Sequence, residues 1–334
     1  MSSDFFLHIG PHKTASTFIQ KTLFNNKDIL AKNEKTYFEM PDQGDWGHHK
    51  LADSLRHNND DLFQGIIKRT QKTIGDLIIS SENFDSISLS QIKKLYSSFD
   101  FNSPRIIYYK RSAKELLLST WQENIKHGET YSWRYYLSEN LMRPFNSNVL
   151  NGGQIIEKYE SVFGSDSISI IDFHSAMKQK YGIMTEFLKV LGENPHDYSI
   201  YEKKVNQSLS FIDVEILRTL NMLSIRQGIA PRHELRDKYL LFLSQPKINC
   251  EYYELREILN NSLEPFTLSD SFTIDFFEKN FHSKFKKYFV NSASYFNQDS
   301  LIYQLPSEDW HLSKDSIRLL CWLYRELCPK NQNI

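Results

Sequence analysis

Lys13 stands in a run of polar residues, Pro11-His12-Lys13-Thr14-Ala15-Ser16-Thr17, between an apolar segment and an apolar-periodic one. The preceding Phe5-Phe6-Leu7-His8-Ile9-Gly10 reads as a short buried strand that breaks at Gly-Pro. The following residues, from Ser16 or Thr17 onward, read as a helix. Consecutive backbone N–H groups at such a helix start form an anion cradle, and the helix dipole adds partial positive charge. Lys13 brings a full, mobile charge to the same place. The chemistry this suits is the binding of a phosphate or sulfate.

The loop is not the ATPase version. That motif, G-x-x-x-x-G-K-[ST], places Lys directly after a second Gly. Here Lys13 comes three residues after Gly10, ahead of the hydroxyls, and there is no second Gly. Ala15 does not readily accept a positive φ, so a helix-like backbone is expected there.

A second candidate lies 98 residues beyond Lys13. Arg105-Ile106-Ile107-Tyr108-Tyr109-Lys110 reads as a buried strand, and Arg111 falls at its carboxyl end. Ser112 is a good N-cap for the next helix, with Glu115 three residues on as its capping-box partner. Ser119 follows two helical turns after Arg111. An Arg fork and a Ser hydroxyl suit a second phosphate. Between the two motifs, Gly75-Asp76-Leu77-Ile78-Ile79-Ser80 is a further apolar strand, ending in Ser81-Glu82-Asn83-Phe84. In a parallel sheet all three strand ends share one edge, where nucleotide sites form.

In this order the motifs resemble those of the sulfotransferases. The first is similar to their 5′-phosphosulfate loop, P-x-K-[ST]-G-[ST]-T, with Ala15 departing from the usual Gly. The second is similar to their 3′-phosphate signature, a strand-end Arg with a Ser eight residues later. The resemblance covers roughly the first 210 residues. It implies an α/β fold of three layers, α/β/α, with a central mostly parallel sheet of the P-loop-NTPase-like kind, carrying a helical extension. It implies a single domain, with the nucleotide-binding core over about 1–205 and the helical elaboration over about 206–334.

The activity implied is transfer of a sulfuryl group from 3′-phosphoadenosine 5′-phosphosulfate (PAPS) to a hydroxyl, leaving PAP, with no metal required. Bacterial carbohydrate sulfotransferases carry a similar Ser-Ser-Glu run, and heparan-type relatives place a Glu there as base. The acceptor implied is a sugar of a bacterial polysaccharide or a glycolipid. The catalytic set is then Glu82 as base, Lys13 stabilising the bridging oxygen, and His12. The nucleotide set is Pro11, His12, Lys13, Thr14, Ala15, Ser16, Thr17, Arg111, Ser119, Asn206 and Ser208, the last two from the Asn-x-Ser ahead of a long helix.

Histidines compete for the base role. His8 alternates with apolar neighbours and reads as a packed residue. His12 lies in the loop and ranks after Glu82; His49 ranks third, since His48 and His49 belong to a polar loop suited to an acceptor wall. Two rival functions remain: a P-loop kinase-like phosphotransferase, and a non-catalytic nucleotide- or glycan-binding protein.

The bulk properties agree with an ordinary globular enzyme. The 334 residues are 40% apolar and 24% charged, enough for a substantial core. A net charge of −1 argues against nucleic acid as a general partner. The cysteines, Cys250, Cys321 and Cys328, make neither a disulfide framework nor a metal-ligand spacing. No signal-peptide pattern or long apolar run is present, so a cytoplasmic protein is expected, with at most transient contact with the inner membrane.

Strands are expected at 4–9, 76–80, 105–110 and 167–172. Helices are expected at 16–26, 49–57, 59–73, 88–98, 112–127, 131–143, 153–163 and 175–192, and 209–290 reads as mostly helical.

Overall fold

Alternation along the first strand sets the layers of the fold. In the computed structural model, which describes residues 4–40, 46–101, 103–200, 209–229, 233–267, 272–291 and 302–329, Phe5, Leu7 and Ile9 face one core and Phe6 the other. Strands β1 (Phe5–His8), β2 (Lys35–Tyr37), β3 (Asp76–Ser80), β4 (Pro104–Lys110) and β5 (Ile168–Asp172) build a five-stranded sheet of order β2-β3-β1-β4-β5. Every pair is parallel.

Helices cover both faces, as an all-parallel sheet requires. One core joins Leu77, Ile79, Ile106, Ile168 and Ile170 to helices His49–Arg56, Asp60–Thr70, Leu89–Ser97, Gly152–Phe163 and Phe272–Phe285. The other joins Ile78, Ile107, Tyr109 and Ile171 to helices Ser16–Asn25, Lys27–Lys32, Phe173–Met177 and Met184–Val190. The chain is thus a three-layer α/β fold with the parallel sheet expected. β1 is central; β2 and β3 lie to one side and β4 and β5 to the other. The order reverses beside β1, and ligand crevices of open α/β sheets form where it does.

Two local expectations are corrected, and one strand was not foreseen: the edge strand β2 is too short, at three residues, to show a period. The helix expected at 175–192 is two helices, Phe173–Met177 and Met184–Val190, with Gly182 between them at φ +55°. The mostly helical stretch contains a strand, β6 (Leu263–Thr267), which pairs antiparallel with β7 (Ile302–Pro306).

The residues group into two compact units, neither continuous in sequence. One comprises Met1–Leu116, Pro144–Val205 and Thr273–Phe296; the other comprises Leu117–Arg143, Asn206–Phe272 and Asn297–Ile334. The sheet lies in the first. The second contains helices Trp133–Met142, Phe211–Arg226, His233–Leu243, Cys250–Asn261 and Lys314–Leu327 with the β6–β7 pair. Its interior holds a buried carboxylate, Asp213, which accepts from Tyr252 (2.7 Å), Tyr239 (3.2 Å) and Arg256 (2.6 Å). All three bonds fall on Oδ1, while Oδ2 accepts from the Ser210 hydroxyl, so both oxygens of the buried group are hydrogen-bonded. Among the described residues no helix is long and apolar enough to cross a membrane.

Candidate active site

Three strand ends carry the candidate residues of the first unit. After β1 the chain turns at Gly10, whose φ is +93° and where a Cβ would come 3.1 Å from the Glu82 Cα. Only Gly meets both demands. The loop is then pinned to the sheet and to itself. Tyr109 N–H donates to the Gly10 carbonyl (2.9 Å) and the Thr14 hydroxyl donates to the Pro11 carbonyl (2.6 Å).

The expectation of a helix-like backbone at Ala15 is wrong. Lys13 and Ala15 are both left-handed, with φ of 64° and 63°, and Thr14 between them is not. Such alternation gathers successive N–H groups on one side of the loop. Ala, with the smallest side chain after Gly, accepts this at a cost of about 1–2 kcal/mol. The helix Ser16–Asn25 therefore begins from Ala15 as N-cap, with no side chain capping it. Its first backbone bonds run from Phe18 and Ile19 to the Ala15 carbonyl (3.0 and 3.1 Å), leaving the Ser16 and Thr17 amides ahead of the ladder. The Ser16 hydroxyl is buried there without a partner among the described residues. An uncapped helix start with a Lys two residues ahead of its N-cap has the features that suit an anion.

Arg111 closes on this loop. Its Nη1 donates to the Lys13 carbonyl at 2.6 Å and its Nε to the Glu115 carboxylate at 2.9 Å, while the guanidinium rests 5.1 Å from the Phe173 ring centroid. Arg111 and the backbone of Lys13, 98 residues apart in sequence, are thus in contact. The Glu115 carboxylate meets Arg111 and has His174 at 3.4 Å. The Ala113 amide at the start of that helix donates to Glu278, which also takes Lys110 Nζ (2.7 and 2.8 Å).

At the end of β3, Ser81 caps the short 3-10 helix Glu82–Ser86. Glu82 is half-buried against Gly10; its Oε2 accepts from Gln20 Nε2 at 3.0 Å and lies 3.9 Å from His49 Nδ1. His49 in turn pairs with the Ser81 hydroxyl (2.8 Å). His12 is exposed on the loop, and its backbone amide is held by the Asp85 carboxylate. Asp85 is 6% exposed. Burial pushes its carboxyl up to about 6, against the pull of His12 and of Lys158, with Glu82 adding to the rise.

The paired histidines have different tasks. His48 is fully buried; Ser80 N–H donates to its Nδ1 (2.9 Å), and its Nε2 donates to the Phe38 carbonyl (2.7 Å). It bridges the splaying ends of β2 and β3, so the acceptor-wall reading of His48 is corrected to a structural tie. Burial pulls its imidazole down to about 4. His8 is packed as expected, edge-on to Tyr109 and Phe187, and burial likewise lowers it to about 4.

Pro11 through Thr17, Glu82, Arg111, His12 and His49 are thus gathered at one sheet edge. Ser119 is half-buried on helix Ala113–Lys126, in the stretch assigned to the second unit. Asn206 and Ser208 lie outside the described residues. Gln20 and Asp85 were not singled out in the sequence. Gln20 carried one signal, a long amide among the buried residues of a helix that also buries Ser16, Ile19, Thr22 and Leu23; Asp85 carried none. Among the described residues no group of three or more His, Cys, Asp or Glu side chains is placed to hold a metal ion.

A scan of protein-family models finds no match. A search of curated proteins finds none either. One solved structure matches, a sulfotransferase from Alicyclobacillus acidocaldarius, 13% identical, covering 69% of this chain and 96% of that one at a TM-score of 0.40. At that score and identity the likeness carries no functional weight.

Proposed function

We propose that the protein is a sulfotransferase that moves a sulfuryl group from PAPS to a hydroxyl, on a sugar of a polysaccharide or glycolipid. The observation that carries this reading is the contact of Arg111 with the Lys13 carbonyl, at 2.6 Å. It sets a guanidinium, three of whose N–H donors have no partner among the described residues, beside an uncapped helix start, the arrangement a nucleotide with separate 5′ and 3′ anions needs. The 5′-phosphosulfate lies on the amides of Thr14 to Thr17 and on Lys13, and the 3′-phosphate takes the Arg111 fork.

The chemistry follows from these placements. Glu82 removes the acceptor proton as the acceptor oxygen attacks sulfur in line. The bond from sulfur to the bridging oxygen breaks, and the charge left on that oxygen is met by Lys13 and the loop amides. PAP departs with both phosphates still bound by the protein.

Calorimetric titration tests the reading. PAP binds, and ATP with magnesium binds far more weakly; a preference for ATP would replace the sulfotransferase with a phosphotransferase. Incubation with labelled PAPS and polysaccharide acceptors separates an enzyme from a silent nucleotide-binding protein.

A further inference from the structure

The helix that opens at the anion loop also reaches the base. Gln20 lies one turn past Ser16, is 2% exposed, and spends its amide on Glu82 Oε2 (3.0 Å). A buried amide among Ile19 and Leu23 gains nothing from packing and costs desolvation unless paired. The same oxygen faces His49 Nδ1 at 3.9 Å. Glu82 Oε1 has no hydrogen-bond partner among the described residues. Gly47 closes the arrangement from outside, since a Cβ there would meet His49 Nε2 at 2.7 Å and the Gln20 amide at 2.8 Å.

We infer that Gln20, with His49 behind it, is a positioning residue that turns Glu82 Oε2 inward and presents Oε1 to the acceptor hydroxyl. The inference rests on the sulfotransferase reading for its chemistry, and on geometry alone for the Gln20–Glu82 pair. In the transfer step the acceptor proton passes to Oε1, the acceptor oxygen bonds to sulfur, and the bridging oxygen leaves with PAP. Because Gln20 belongs to the helix whose first turn grips the phosphosulfate, one rigid element fixes both the donor and the atom that receives the proton. A 1 Å misplacement of such a group costs about 100-fold in rate.

Two variants and two readouts test this. Gln20→Met keeps length and removes the donor; kcat falls about 10- to 100-fold while PAP affinity and the melting midpoint stay near wild type. Gln20→Glu sets a second carboxyl against Glu82, two such groups resist ionising together, and the acid limb of the pH–rate profile moves up by about one pH unit or more. Unchanged kcat in the first and an unmoved acid limb in the second overturn the inference, as does a loss of PAP binding that matches the loss of kcat. Independently of turnover, the Gln20 side-chain amide resonances of the full-length protein follow a titration that vanishes in Glu82→Gln. An amide that does not titrate, or still titrates in that variant, overturns the pairing. A wild type inert toward PAPS whose Gln20 amide does titrate overturns the sulfotransferase reading and leaves the pairing standing.

Discussion

Replacing Asp85 by Asn should make the protein more stable at neutral pH and less so in acid. Asp85 is buried to 6% exposure beneath the anion loop, and its carboxyl rises from 3.8 to about 6. The folded state therefore holds the proton more tightly than the unfolded chain. Stability falls as pH rises from about 4 to about 6 and is constant above. At about 1.4 kcal/mol for each pH unit, the interval amounts to about 3 kcal/mol. The groups facing Asp85 are His12, Glu82, Lys158, Tyr108 and Tyr159, of which His12 and Lys158 favour its ionised form. Asn keeps an acceptor for the His12 amide and loses its charge, which offsets about 1 kcal/mol.

Asp85→Asn is then more stable than wild type by about 1–3 kcal/mol at pH 7.5, and equal or weaker at pH 4. Urea unfolding of both proteins from pH 4 to 8 reads this as a difference, in which the other titrating groups cancel. A difference that stays constant across the range refutes the reasoning. The same substitution removes a negative charge beside the His12 amide in the loop proposed to hold the phosphosulfate, so PAP binding is expected to tighten at pH 8.

Three further outcomes follow from the geometry. Glu82→Gln lowers turnover about 100- to 10,000-fold, with PAP affinity by calorimetry within about twofold because the loop amides remain; undiminished turnover would move the base role to His12 or His49. Ala15→Gly relieves a left-handed Ala but adds freedom to the unfolded chain, for a net gain of about 0–1 kcal/mol, whereas the β-branched Ala15→Val destabilises; thermal melts of the three proteins give the order. His48 is held neutral at about 4, below its ordinary 6.5, so it contributes stability at neutral pH that is lost as pH falls from about 6.5 to about 4. His48→Gln leaves the Ser80 amide or Phe38 carbonyl poorly paired and costs about 1–3 kcal/mol at pH 7.5, yet the gap to wild type narrows by pH 4.5 in the same urea series.

What was legible in the sequence was what is encoded locally. β1, β3, β4 and β5 are short apolar runs that end in turn or polar residues, and the loop after β1 carries its charge and hydroxyls in one stretch. Their shared edge followed from parallel pairing alone. The unread parts depend on distant residues. Gln20 meets Glu82 across 62 positions, and Asp85 reaches His12 from the end of another strand. β6 and β7 pair although the helix Phe272–Phe285 lies between them in the sequence, and neither strand carries a local sign of its partner. The handedness of Ala15 was misread because the loop's pinning by Tyr109, Thr14 and Arg111 outweighs the preference of one residue.

The central claim is that the Lys13 loop and Arg111 grip the two ends of one nucleotide, and it is tested most directly by titrating PAP and 5′-AMP, which lacks the 3′-phosphate, into wild type, Arg111→Ala and Lys13→Ala. A charge-assisted contact of about 1.5–3 kcal/mol predicts that Arg111→Ala weakens PAP about 10- to 150-fold more than it weakens 5′-AMP, which loses only the pinning of the loop by Arg111, while Lys13→Ala weakens both. Equal losses for the two ligands in Arg111→Ala, or no loss for either, would contradict it.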